Sequence, residues 1–268
     1  MQTDSQTLAS ELERAGLNTA AFGRRLHYFE ETSSTSDRAA ELAGAGAPEG
    51  TIVVAGRQSA GRGRQGRDWE SPAGGLWMTL LLRPLLRSEE LPGLTLVLAG
   101  AVCEAVVDAL GPQAAVGIRW PNDVYVGDRK LAGLLAEARW SGETMEALWV
   151  GLGLNVNMSA SDFSEEVRPL ATSLQLESGH EVALAPLLKT LLERLEAAYH
   201  ALTRDGMTAA LARVRPRLVT LGRRVRAKLA TELEVEGEAV ALGPQGSLQL
   251  STDEGPVDIW SCERVWLL

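Results

Sequence analysis

The sequence predicts an α+β protein, with a mixed central sheet and helices over residues 1–218 and a small C-terminal β-barrel over residues 219–268. Three observations carry this reading. Through residue 218, β-rich apolar runs are interspersed with two long helical patterns. From Gly222 onward the pattern changes to short alternating strands. Between these extremes, a glycine- and arginine-rich loop joins one strand directly to another, with no helix opening after it.

In chain order, Leu8, Leu12 and Ala15 lie near helical spacing and the pattern stops at Gly16, which predicts one short helix. Leu26-His27-Tyr28-Phe29-Glu30 reads as a strand. A Ser/Thr cluster follows at residues 32–36, then an alanine-rich helix to about residue 45. Ser34 or Ser36 suits the N-cap, because a short hydroxyl accepts from the free N–H groups of the first turn. Hydroxyls at a strand-to-helix turn also suit the head group of a small polar ligand. Thr51-Ile52-Val53-Val54-Ala55 and Leu76-Trp77-Met78-Thr79-Leu80-Leu81-Leu82 are strands flanking the loop. Residues 91–110 form a core helix, interrupted by too many polar and small residues to read as a membrane span. A short strand at 116–120 stops at Pro121, and residues 122–137 predict a hairpin turning at Gly127-Asp128. Residues 145–157 form another strand, whose glycines suggest close approach of a ligand or backbone. An amphipathic helix runs from 184 to about 202, with a further helix to about Val214.

Bulk properties narrow the class. The 268 residues carry 35 acids against 26 bases, a net charge of −9, which argues against general nucleic-acid binding. Two cysteines, Cys103 and Cys262, do not make a disulfide framework, and reducing conditions are expected. His27, His180 and His200 have no ligand spacing, so a structural zinc site is not expected. The polar N-terminus lacks an apolar signal core, and the short predicted helix leaves no room for a winged-helix DNA-binding unit. A cytoplasmic protein with no nucleic-acid or membrane partner is expected.

The loop Gly61-Arg62-Gly63-Arg64-Gln65-Gly66-Arg67-Asp68-Trp69 runs against the acidic background. Glycine lets backbone approach a ligand, and arginine offers a fork of donors to carboxylate or phosphate. Residues 61–66 formally match G-x-G-x-x-G, but that fingerprint needs a helix at its last glycine, and here Arg67-Asp68-Trp69-Glu70-Ser71-Pro72 leads into a strand. Two further blocks stand out: Arg119-Trp120-Pro121-Asn122-Asp123 with Lys130 and Gly133 on the hairpin, and Gly151-Leu152-Gly153-Leu154-Asn155. Each alone also fits a solvated charge or a weakened strand.

Together the blocks at 61–69 (G-R-G-R-Q-G-R-D-W), 119–137 (R-W-P-N-D-V-Y-V-G-D-R-K-L-A-G-L-L-A-E) and 151–155 (G-L-G-L-N), with Ser34-Thr35-Ser36 and Gln58 upstream, resemble the biotin protein ligase family in order and spacing. The resemblance covers the chain from about Leu26 to its end. It implies a catalytic domain like those of class II synthetases and an SH3-like C-terminal barrel. It also implies a two-step reaction, in which biotin and ATP give biotinyl-5′-AMP and a lysine of a biotin carboxyl carrier domain then takes the biotinyl group. The carrier belongs to acetyl-CoA carboxylase or a related carboxylase. By the same resemblance, Arg62, Arg64 and Lys130 surround the carboxylate and the α-phosphate. Ser34, Thr35, Ser36, Gln58, Gly61, Gly63 and Gly133 complete the biotin side. Arg67, Trp69, Asn122, Gly153 and Asn155 form the adenylate side, and Trp69 caps the adenylate. Asp123 is the candidate for orienting the incoming lysine amine, and whether it also accepts the amine's proton or only orients it is left open by the residues. Mg2+ is carried mainly by the ATP phosphates, with its protein ligands unassigned. Relatives occur as monomers and as edge-to-edge dimers, so a homodimer is allowed.

Two positions depart from the family pattern. Arg119 stands where lysine is common, which keeps charge but changes geometry. Cys262 stands where glycine is common, and a buried small residue is its plain reading. Rival readings are a lipoate- or octanoate-protein ligase of similar fold, a biotin-responsive transcriptional regulator, and an inactive biotin-binding module. The first lacks this form of the Arg/Gly loop, the second conflicts with the acidity and short N-terminus, and the third with the retained Lys130 and arginines.

Overall fold

The structure is a computed structural model of the chain and describes residues 5–229, 231 and 233–268, with side chains from Thr7 onward. Residues 1–4, part of the polar N-terminus noted above, lie outside the described residues.

The central sheet is mixed, as the sequence predicts. Its strands are β1 (Leu26–Thr32), β2 (Ile52–Gln58), β3 (Leu76–Leu82), β4 (Val116–Arg119), β5 (Asp123–Val126), β6 (Arg129–Ser141) and β7 (Thr144–Leu154). They lie in the order β1-β2-β3-β7-β6-β5-β4, with β1 and β2 parallel and the other pairs antiparallel. The predicted hairpin is present, but β6 runs on to Ser141 and makes a long second ladder with β7. β7 ends at Leu154 rather than at residue 157, because Asn155 turns to bond the backbone of Leu131 and Leu174.

Strand periodicity assigns the two faces. Ile52, Val54, Met78, Leu80, Val150 and Leu152 join the main apolar cluster with α3 (Leu91–Leu110) and α5 (Leu184–Asp205). Val53, Leu81, Ala147 and Trp149 face the other way, against Ala39 and Ala43 of α2 (Thr35–Gly44). Every residue of β3 is buried because both of its faces are covered. α3 is apolar and long enough to cross a membrane, yet it is mostly buried inside the protein. α1 (Ser5–Arg14) inserts Leu8 and Leu12 into the same core. Two short helices, α4 (Leu174–Ser178) and α6 (Met207–Val214), complete this part.

The C-terminal strands correct the predicted SH3-like barrel. β8 (Arg224–Lys228), β9 (Glu234–Leu242), β10 (Leu248–Thr252), β11 (Gly255–Ile259) and β12 (Arg264–Leu267) form an open antiparallel sheet in the order β11-β10-β9-β8-β12. Closure would require β11 to pair with β12, and each pairs on one side alone. Pro256 has no N–H to donate, which suits β11 to an edge. The apolar side of the sheet needs no self-closure, because the rest of the protein covers it. Val225, Ala227, Ala239, Leu248 and Leu250 belong to the same cluster as Leu96, Ile118 and Trp120. Trp120 donates its Nε1 to the Gly246 carbonyl at 2.9 Å and its backbone N–H to Thr220 Oγ1 at 2.9 Å, fastening this sheet to β4.

Candidate active site

Register across the central sheet brings the three sequence blocks together. Arg119 opposes Asp123, Asp123 opposes Gly133, Gly133 opposes Gly153, and Gly153 opposes Trp77. Residues directly opposite one another share a face, so this row lies on the α2 side of the sheet. The two glycines at its centre leave a shallow floor, and the Trp69 ring lies on it. A Cβ on Gly153 would stand 2.5 Å from Trp69 Nε1, and one on Gly133 would stand 3.0 Å from Trp69 Cζ3 and 3.2 Å from Asp123 Oδ1. Only glycine fits at Gly153 without moving the indole. Met158, Phe163, Val167 and Ala171 pack with Trp69 and Trp77 on the same side.

Beside this floor, Lys130 Nζ lies 2.7 Å from Asp123 Oδ1 and 4.9 Å from the Trp69 ring centre. The Lys130 backbone is held on both sides, its N–H donating to Leu170 O and its carbonyl accepting from Thr172 N. Asn155 donates Nδ2 to Thr172 O at 2.9 Å, so it fixes the segment that grips Lys130.

The helix end of the site is a polar chain. Ser34 is the N-cap of α2, its Oγ accepting from Ser36 N at 3.2 Å. Thr79 Oγ1 donates to Thr35 Oγ1 at 2.7 Å, and Gln58 Oε1 accepts from Thr35 N at 2.7 Å and Thr35 Oγ1 at 3.1 Å. Gln58 Nε2 then donates to Ser71 Oγ at 2.9 Å, and Ser71 Oγ donates to Trp69 O at 3.0 Å. Ser36 Oγ lies 3.5 Å from Thr79 Oγ1. Ser34, Thr35, Ser36 and Ser71 are all buried.

The Arg/Gly loop is a short hairpin. Trp69 N donates to Gly61 O at 2.9 Å, Arg62 pairs with Asp68, and Gly63 N donates to Arg67 O at 2.7 Å. A Cβ on Gly61 would collide with the Trp69 carbonyl and stand 2.6 Å from Ser71 Oγ, so this strand crossing admits glycine alone. The loop's arginines diverge. Arg62 Nη2 lies 2.6 Å from Asp37 Oδ1 and 3.8 Å from Glu137 Oε1. The Asp37 hydrogen bond raises the Arg62 pKa and lowers that of Asp37, so both stay charged. Arg64 reaches across to the C-terminal sheet, with Nη2 3.0 Å from Cys262 O and 3.3 Å from Ser261 Oγ, and Nη1 3.4 Å from Asn122 Oδ1. Burial pushes its pKa below the ordinary arginine value.

The structure thus gathers Thr35, Ser36, Gln58, Gly61, Trp69, Asp123, Lys130, Gly133 and Gly153 around one floor, with Arg62 and Arg64 at its rim. Other sequence-predicted residues take up local contacts. Arg119 stacks its guanidinium 3.8 Å from the Tyr125 ring centre, Asn122 Nδ2 donates to Leu134 O, and Arg67 is exposed. Gly63 contributes backbone to the loop hairpin. Cys262 is buried and burial pushes its thiol up to about 11. Sequence reasoning missed Thr79, Ser71, Asp37, Glu137 and the segment over Trp69. Thr79 had a visible signal, a lone hydroxyl in an otherwise apolar strand.

This arrangement defines a class, an α+β protein whose arginine- and lysine-bearing segments meet at a glycine floor of the central sheet, and a model described as the Biotin/lipoate A/B protein ligase family matches residues 28–155. The chain is 36% identical over 251 residues to the bifunctional ligase/repressor BirA of Bacillus subtilis, covering 93% of this chain and 76% of that one. It is 33% identical over 264 residues to the biotin–[acetyl-CoA-carboxylase] ligase of Mycobacterium tuberculosis, covering 92% and 93%. A solved structure of the Aquifex aeolicus biotin protein ligase in complex with biotin and ATP superposes with a TM-score of 0.77 at 31% identity, covering 91% of this chain and 100% of that one. The chain belongs to the biotin protein ligase family.

Proposed function

We infer that this protein activates biotin with ATP and transfers it to a lysine of a biotin carboxyl carrier domain. The observation that carries this is the row Asp123-Gly133-Gly153 with Trp69 on it and Lys130 beside it, in a chain of this family. In the first step a biotin carboxylate oxygen bonds to the α-phosphorus of ATP, and the bond to pyrophosphate breaks. Two anions must meet, so catalysis is chiefly charge neutralisation and positioning. Lys130, Arg62 and Arg64 supply the positive charge, and the loop N–H groups add donors. The hydroxyl chain at α2 and Gln58 suits the ureido ring. Magnesium enters with ATP as part of the substrate. Among the described residues no group of three or more His, Cys, Asp or Glu is placed to hold a metal ion.

In the second step the carrier amine attacks the acyl carbon, the C–O bond to AMP breaks, and one amine proton leaves. A free lysine has a pKa of ~10.4, so the amine arrives mostly protonated. It must lose one proton to solvent before it can attack; Asp123 orients the neutral amine and takes the second proton as the amide bond forms. The loop hairpin and the segment at 158–171 cover the adenylate, which water would otherwise hydrolyse. Arg67, Trp69, Asn122, Gly153 and Asn155 form the adenylate side, and the carrier is that of acetyl-CoA carboxylase or a related enzyme.

The test mixes enzyme, biotin, MgATP and a carboxylase carrier fragment, with lipoate in parallel. Biotin-dependent pyrophosphate release followed by a mass gain on the carrier is expected. Pyrophosphate release with lipoate alone would overturn the reading.

A further inference from the structure

Asp37 occupies the first turn of α2, two residues after Thr35, and takes Arg62 Nη2 at 2.6 Å. Its other oxygen accepts from Ser33 Oγ at 3.3 Å. Glu137 on β6 stands 3.8 Å from the same nitrogen and is itself held by Trp149 Nε1 at 3.3 Å. Among the described residues, Arg62 Nε and Nη1 have no hydrogen-bond partner, so one end of the guanidinium is anchored and another edge is open. The N-terminus of a helix carries partial positive charge and repels a cation. Asp37 offsets that charge where Arg62 meets the helix bearing Thr35 and Ser36.

The side chains of Arg62 and Asp37 are 38% and 42% exposed, and pairs this exposed contribute little to folding. Stability therefore gives a weak reason for the pair, whereas a fixed guanidinium beside an anion site has a direct use, since donors set in advance need no reorganisation when the anion arrives. We propose that Asp37, backed by Glu137, is a positioning residue that holds Arg62 ready for the carboxylate of the acid being activated. The inference rests on the biotin-activating reading above and adds a residue to it.

The test measures biotin-dependent ATP–pyrophosphate exchange and thermal midpoint for Asp37→Asn, Asp37→Glu, Arg62→Ala and the double variant Asp37→Asn/Arg62→Ala. Asp37→Asn is expected to raise KM for biotin about tenfold while KM for ATP and the melting midpoint stay near wild type. Asp37→Glu recovers part of the loss, and Asp37→Asn adds nothing once Arg62 is alanine. An unchanged or lowered KM for biotin in Asp37→Asn would overturn the proposal, as would an equal loss in the Arg62→Ala background. Wild-type exchange with biotin keeps the parent reading intact whichever way the variants fall.

Discussion

Asp123 Oδ1 and Lys130 Nζ lie 2.7 Å apart, and each side chain is only about a quarter exposed. The two chain segments are joined through the Gly127-Asp128 turn, so a hairpin seven residues apart delivers one acid and one base to the same spot. On the function proposed above, the pairing would tie together the two half-reactions, with Lys130 assigned to the anions of the first and Asp123 to the amine of the second.

Asp123→Asn therefore disturbs both steps unequally. Adenylate formation should fall by about tenfold or less, because Lys130 keeps its charge but loses its anchor. Transfer from preformed biotinyl-AMP to the carrier should fall by about a hundredfold, the scale of a lost general base. Single-turnover measurement of each half-reaction separates them, and equal losses would count against Asp123 as proton acceptor. Lys130→Ala should lower adenylate formation by roughly a hundred- to a thousandfold.

Gly153→Ala tests the floor. The new methyl would stand 2.5 Å from Trp69 Nε1, so the indole must lift. Overpacking of this kind costs about 1–3 kcal/mol where the neighbours cannot yield. Here the neighbour is one side chain on a loop, so the larger effect should fall on KM for ATP, raised by about tenfold or more. Steady-state kinetics together with a urea titration would show whether affinity or stability bears the cost.

Glu196 on α5 predicts a pH dependence of folding. Its carboxylate is buried and accepts from the backbone N–H groups of Ala20, Ala21 and Phe22 at 2.7, 2.7 and 2.9 Å. Burial alone would raise its pKa, but the three donors, aided by His200, outweigh it and hold it below the ordinary 4.5. A lowered carboxylate stabilises the fold while ionised, fully above its unfolded value, and the gain is lost as pH falls through the folded value. Glu196→Gln should cost about 1.5–3 kcal/mol at neutral pH. The gap from wild type should narrow as pH falls below about 4, read by chemical denaturation at each pH.

Excess EDTA should abolish pyrophosphate release while leaving the melting midpoint unchanged. A metal carried by ATP supports chemistry but not folding, and the described residues assemble no carboxylate, imidazole or thiolate cluster for one. A fall in midpoint without nucleotide would point to a protein-held ion.

Much of the site was legible because its signals are local. The Arg/Gly loop declared itself by composition, and its strand-to-strand position excluded a dinucleotide fold. Gly133 and Gly153 were visible as glycines in strands, but their pairing across β6 and β7 was not, since register depends on which residues each strand must bury. Asp37 looked like an ordinary first-turn acid, because its partner lies 25 residues away in the loop.

The sequence alone determined the run of strands and helices, the hairpin with Asp123 and Lys130, a cap at Ser34 or Ser36 and the three blocks that carry the family likeness. Periodicity, turn chemistry and helix capping act over a few residues, so the chain states them directly. Tertiary structure alone decided that the C-terminal strands remain an open sheet, and that Arg64 spans 198 residues of sequence to reach the Cys262 carbonyl. A sheet closes on itself when nothing else covers its apolar face. Here α3 and β4 cover that face, so β11 and β12 stay apart and the segment between them meets the loop at Arg64.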